Sequence, residues 1–213
     1  AFDALWKLRR AGIKVVPITG RPAGWCDLIA RQWPVDGVVG ENGAFYFRYD
    51  EAARKMFRVY AQPAEVRRAN AEKLWAVARR VLQEFPGTAI ASDQAYREID
   101  VAIDFCEDVP PLPLSAAQEI AEAFHAEGAA AKVSSIHVNA WFGSHDKLTM
   151  SRRLLALWIS SSSAWSVRRR LICELCGPVQ VSSILCFWRW WASAAETDCS
   201  KSAISVGIGG SGR

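Results

Sequence analysis

Apolar and polar positions in the first fifty residues switch repeatedly between a helical and a strand period. Phe2–Arg10 reads as the end of a helix, closed by Ala11-Gly12. Lys14–Ile18 is an apolar, β-branched run and predicts a strand. Thr19-Gly20-Arg21-Pro22 stops it abruptly. Over residues 22–33, Cys26, Ile29, Ala30 and Trp33 fall on one helical face, with Pro22 suited to the first helical position. Pro34-Val-Asp breaks that helix, and residues 37–39 predict a short second strand. This αβαβ order predicts a parallel, doubly wound sheet. The loop Gly40-Glu-Asn-Gly43 then lies on the same carboxyl edge of the sheet as Thr19.

The rhythm changes over residues 49–145. Residues 45–47 and 56–60 read as paired strands. A long amphipathic helix over 64–85 carries Val66, Leu74, Trp75, Ala78, Val81 and Leu82. Residues 99–105 alternate and predict a half-buried strand, with Asp100 and Asp104 as charges on the surface of this unit. Ser115 and Gln118 predict a capping box for a helix that stops at Gly128. Strands are predicted over 132–134 and 136–139. The expectation is an α/β core over residues 1–48 with an inserted α+β cap over 49–145. The core then resumes over 146–157 with a helix opened by Lys147, capped by His145 and Asp146. The expected fold class is therefore α/β, a doubly wound parallel-sheet core with an inserted α+β cap.

Residues 158–213 depart from this regularity. They hold Trp158, Trp165, Trp188, Trp190 and Trp191, half of the ten tryptophans, and only three acids, Glu174, Glu196 and Asp198. Neither a helical nor a strand period is visible there. Cys173-x-x-Cys176 has no second CxxC or CxxxH, which argues against a zinc site and for reduced, cytosolic thiols. The whole chain, 213 residues with 51% hydrophobic and 23% charged, has the composition of a globular protein. A net charge of +4 without clustering does not point to nucleic acid. No apolar stretch reaches the roughly 20 residues of a membrane span, so a cytoplasmic protein without a membrane partner is expected.

The strongest chemical signal is Thr19-Gly20-Arg21. A strand that ends in a turn at the sheet's carboxyl edge, just before a helix, is where ligands bind in open α/β sheets. A hydroxyl, a glycine amide and a guanidinium at a helix N-terminus suit a phosphate. Lys147 opens a helix, where a cation opposes the dipole; it is either a solvated charge or a functional group. Glu41 and Asn42 either shape the turn beside Gly43 or face substrate. His137 and Asn139 share one strand face. That face is either solvated or recognises substrate hydroxyls across the cleft between the two units.

The ordered set of Thr19-Gly20-Arg21, Gly40-Glu-Asn-Gly-Ala44, the inserted α+β module, Ile136-His-Val-Asn139 and Lys147 resembles the haloacid dehalogenase (HAD) superfamily. The match is to its large-cap subgroup of Cof-type and sugar-phosphate phosphatases, and it covers roughly residues 1–157. The resemblance implies Mg²⁺-dependent hydrolysis of a small phosphorylated metabolite, a phosphosugar, through an aspartyl-phosphate. It assigns Thr19 to hold a phosphoryl oxygen and Lys147 to neutralise charge. It also implies an Asp-x-Asp nucleophile strand, expected upstream of Ala1, and an acidic Gly-Asp-x-x-Asn-Asp loop for Mg²⁺. Neither motif occurs in the 213 residues, so no metal ligand is assigned and the chain as written is expected to be inactive. The abrupt change after residue 157 is expected to reflect a frameshift. The gene's nucleotide sequence tests this: an alternative frame past Leu157 should encode a strand followed by a Gly-Asp-x-x-Asn-Asp-like loop. Absence of that text from both other frames contradicts it.

Overall fold

A computed structural model describes residues 2–160, together with the backbone of residues 171–175 and 185–188. In chain order the elements are α1 (Phe2–Arg10), β1 (Lys14–Ile18), α2 (Ala23–Gln32), β2 (Val38–Gly40), a 3₁₀ turn (Glu41–Gly43), β3 (Phe45–Asp50) and β4 (Lys55–Tyr60). Then come α3 (Ala64–Glu84), β5 (Ala89–Ile90), a 3₁₀ turn (Ser92–Tyr96), β6 (Val101–Asp104), α4 (Leu114–Ala126), β7 (Ala130–Val133), β8 (His137–Trp141) and α5 (Lys147–Ser160). Two short strands follow, β9 (Leu171–Leu175) and β10 (Leu185–Trp188).

The first sheet has the order β10-β9-β1-β2-β3-β4. β1 pairs in parallel with β2 and with β9, and the β2-β3-β4 edge is antiparallel. Successive strand residues point to opposite faces, and each face finds a helix. Val38, Phe45 and Phe47 pack with Ala23, Cys26 and Ala30 of α2. Val16, Ile18, Val39 and Tyr46 pack with Met150 and Leu154 of α5. Both faces are thus covered, as a parallel sheet requires, and the fold is α/β with an inserted α+β unit.

The inserted unit is an antiparallel sheet of order β5-β6-β8-β7. Val101, Ile103, Val138 and Ala140 face α3 and α4, where Leu74, Val81, Ile120 and Phe124 complete a second core. The opposite face carries Asp104, His137 and Asn139, and it is buried too. β6 is buried along its whole length, so the half-buried strand expected from alternation is corrected. Alternation distinguishes an apolar face from a polar one, but not a polar face in water from a polar face against another part of the protein.

Further differences from the sequence reading are local. β4 is the edge strand of the first sheet, so that sheet reaches Tyr60 and does not stop at residue 48. Hydrogen bonding of β3 to both β2 and β4 makes the hairpin one piece with the core sheet. Ser115 and Gln118 form no capping box, since α4 starts at Leu114 after Pro113, without a side-chain cap. Pro22 is the cap residue before α2, not its first helical position. Within the stretch expected to lack any period, β9 and β10 are strands. The tryptophans at 165, 190 and 191, Cys176 and Cys199, and the Arg168–170 run lie outside the described residues.

Candidate functional site

Three loops meet at the carboxyl edge of β1 and β2. Thr19 N–H donates to the Val39 carbonyl (2.9 Å), which continues the β1–β2 pairing into the first loop. Asn42 N–H donates to the Thr19 carbonyl (3.3 Å) and Glu41 N–H to the Arg21 carbonyl (3.2 Å), which laces the second loop to the first. Within the first loop, Arg21 N–H donates to the Thr19 hydroxyl (3.1 Å). The third loop starts α5. Thr149 N–H donates to Asp146 Oδ1 (2.6 Å) and Asp146 N–H to Thr149 Oγ1 (3.1 Å), a reciprocal cap that fixes Lys147 as the first helical residue. Gly43, at φ +101°, lies against this start; a Cβ there would collide with the Asp146 carbonyl and the Lys147 amide.

Glu41 sits beneath these loops with none of its surface exposed. One carboxylate oxygen accepts the amides of Ala23 (2.8 Å) and Glu98 (2.9 Å). The other accepts those of Ile99 (2.7 Å) and Asp100 (3.1 Å). Ala23 is the first residue of α2, whose cap residue Pro22 makes no side-chain bond. Glu41 therefore caps α2 from a different loop. The other amides belong to the segment that leads into β6. Burial and the neighbouring Asp100 carboxylate push Glu41 up to about 8, against the backbone amides that hold its ionised form.

A second layer of charge closes over the first. Arg97 Nη1 donates to Asp100 Oδ1 (3.0 Å) and to the Gly20 carbonyl (3.1 Å). The Arg97 fork also holds Asp93 (3.1 Å), whose carboxylate lies 3.6 Å from Arg21 Nη1. Asp100 Oδ2 accepts the side-chain amides of Asn42 (3.3 Å) and Asn139 (3.2 Å). Burial raises the Asp100 pKa, and Arg97 with the two amides opposes that rise. Residues 93–100 of the inserted unit are thus bound directly to the Thr19-Gly20-Arg21 turn.

The candidate residues separate into three groups. Thr19, Gly20 and Arg21 stand at the sheet edge, and Lys147 begins the helix that abuts the Glu41–Gly43 loop. Glu41, Asn42 and Asn139 are buried and bonded to protein groups. His137 stands apart from the turn. Its Nε2 lies 2.9 Å from Glu107 Oε2, on the strand beside Asp104, and burial lowers its pKa. Asp104 is not a surface charge either: it accepts the amides of Cys106, Glu107 and Asp108. Asp93 and Arg97 carry no signal in the sequence, because a 3₁₀ turn without periodicity holds the first and is closed by the second. The carboxylates near the turn do not suit Mg²⁺, which takes oxygen ligands and keeps several waters. Glu41, Asp93 and Asp100 are already committed to amides and guanidinium groups. Among the described residues no three His, Cys, Asp or Glu are grouped to hold a metal.

No family model matches the chain, and no curated protein matches it in sequence. Solved structures do align with it. Thermoplasma acidophilum 0175 aligns with a TM-score of 0.53 and 12% identity over 74% of this chain and 62% of that one. A trehalose-6-phosphate phosphatase related protein aligns at 0.46 and 15% identity, over 71% of this chain and 61% of that one. BT1666 from Bacteroides thetaiotaomicron, a phosphatase of the haloalkanoate (HAD) superfamily, aligns at 0.46 and 18% identity, over 76% and 65%. The chain spans about three-fifths of the length of the first two. The likeness to the Thermoplasma protein is one of fold.

Replacing Glu41 by Ala leaves four amides, two of them buried and two part-buried, without their acceptor. Each unmade bond costs about 1–3 kcal/mol, partly relieved by relaxation. The expected loss is about 3–5 kcal/mol in urea unfolding. A loss under about 1 kcal/mol contradicts the role assigned to this carboxylate.

Proposed function

We propose that the chain is a HAD-type, phosphatase-like protein whose Thr19-Gly20-Arg21 turn and Lys147 hold the phosphate of a small phosphorylated metabolite, a phosphosugar. One observation carries this reading: the turn, the Glu41–Gly43 loop and the start of α5 converge on one edge of the sheet, with residues 93–97 against them. The Thr19 hydroxyl is the group to take a phosphoryl oxygen, and the backbone of Gly20 and Arg21 leads into the N-terminus of α2. The Arg21 side chain is half-exposed and only 3.6 Å from Asp93, so an incoming phosphate competes with that carboxylate for the guanidinium.

Binding is the step these residues support. Phosphoryl transfer of the HAD type requires Asp-x-Asp and an acidic metal loop, and neither motif occurs in the sequence. β9, the strand beside β1 on the side away from β2, reads Leu-Ile-Cys-Glu-Leu. The carboxylates nearest the turn are committed to amides and guanidinium groups, an arrangement that does not suit Mg²⁺. A non-catalytic binder of phosphorylated ligands is the second reading, favoured by that same commitment. No described helix is long and apolar enough to cross a membrane.

Isothermal titration of the chain with inorganic phosphate and with glucose 6-phosphate tests the reading. Binding is expected without added Mg²⁺, weakened about tenfold or more in Thr19→Ala, or about 1.4 kcal/mol. No measurable turnover is expected with Mg²⁺ present. Lack of phosphate binding contradicts the cradle, and turnover of about 1 s⁻¹ or faster contradicts inactivity.

A further inference from the structure

The chain passes between its two sheets twice. The first passage, through Ala61 and Gln62, joins β4 to α3; the second, residues 142–146, joins β8 to α5. A cavity of about 260 Å³, open to solvent on one side, lies where the two passages meet the first turns of α5. None of the residues assigned to the phosphate cradle lines it.

His145 lines this cavity and is only 9% exposed. Neither of its ring nitrogens has a hydrogen-bond partner in the protein. Its ring stacks on Trp141 at 5.9 Å and 28°, which fixes the plane of the imidazole. Burial lowers the ring's pKa, with Asp146 opposing, and both nitrogens are closed off from solvent while the rest of the residue lines the cavity. Gln62 approaches from the other passage. Its Oε1 accepts the Asn70 amide (3.2 Å), which orients the side chain. Gly143, at φ +130°, allows the two groups to converge: a Cβ there would collide with Gln62 Nε2 and lie 3.0 Å from His145 Nδ1.

The remaining lining defines the charge. Arg153 donates from Nη1 to the Tyr60 carbonyl (2.9 Å), which holds its guanidinium at the cavity with other N–H groups left to donate. Thr149 commits its hydroxyl to the Asp146 cap, and Ser144 adds a second hydroxyl. Among the described residues that line the cavity there is no carboxylate, and Arg153 is the one permanently charged side chain. Buried Met150 supplies an apolar wall. The lining is therefore rich in donors and positive.

We infer that this cavity is a second ligand site, for a small oxyanion carried on a short hydroxylated chain. Arg153 takes the oxyanion, and Gln62 and Ser144 take the hydroxyls beside the His145 ring. Bound there, the molecule touches both passages and α5 together.

The test is titration of the full chain with glycerol 3-phosphate, observed in the ring ¹H–¹⁵N NMR signals of its three histidines. Movement of the His145 signals is expected, with His125 and His137 unmoved. Arg153→Gln, at an exposed position, should weaken that titration about tenfold or more, and Gln62→Ala should weaken it as well. Inorganic phosphate producing a smaller shift of the same signals supports the oxyanion contact. The inference is overturned if His145 does not respond, if glycerol alone shifts it equally, or if Arg153→Gln titrates like wild type. A His145 response lost in Thr19→Ala would put the ligand in the cradle instead, overturning this inference while leaving the proposed function intact.

Discussion

Glu41 brings an ionisable group to a place where none of its surface meets water, and four backbone amides converge on it. Burying a carboxylate is costly unless donors replace its water. Here the donors come from two parts of the chain that are far apart in sequence: the first turn of α2 and the segment ahead of β6. The same carboxylate therefore ends a helix and joins the inserted unit to the sheet edge. Asp100, Arg97 and Asp93 continue that connection outward to Gly20 and Arg21. The Thr19 turn takes its position from this network as much as from the strand that precedes it.

The local backbone accepts strain to make this possible. Glu41 and Asn42 have φ of +40° and +56°, a region that side chains rarely occupy, and Gly43 follows at +101°. Such conformations persist where surrounding contacts over-determine them. For Glu41 the contacts are the four amides, and for Asn42 the bond to Asp100. For Gly43 the reason is steric, since the start of α5 occupies the space of a side chain. One strained loop thus aligns two helix N-termini, those of α2 and α5, at one edge of the sheet.

Much of this architecture is legible in the sequence. The β-branched run at Lys14–Ile18 and the breaks at Thr19-Gly20 and Pro34 place β1, α2 and β2 within a residue or two. The long apolar spacing of α3 does the same for the inserted unit. What escapes is the environment of polar residues. Asp100, Asp104, His137 and Asn139 follow a strand period whether their face meets water or protein, so periodicity cannot report their burial. Glu41 and Asn42 look like turn residues or substrate contacts because their partners lie nearly sixty residues away. Asp93 belongs to a turn with no period at all, and Arg97 closes it. His145 reads as a helix cap from its place before Asp146, yet Asp146 makes that cap alone, and the imidazole is left facing a cavity.

Amide hydrogen exchange on the folded chain tests most directly whether the Glu41 carboxylate joins the two units. The amides of Ala23, Glu98, Ile99 and Asp100 lie in a helix start and a loop, where exchange is ordinarily fast. All four should be protected to a similar, high degree, and all four should lose protection together in Glu41→Gln while the Phe124 core keeps its own. Fast exchange of these amides in the wild-type chain, or loss at only one of the two segments, contradicts the account.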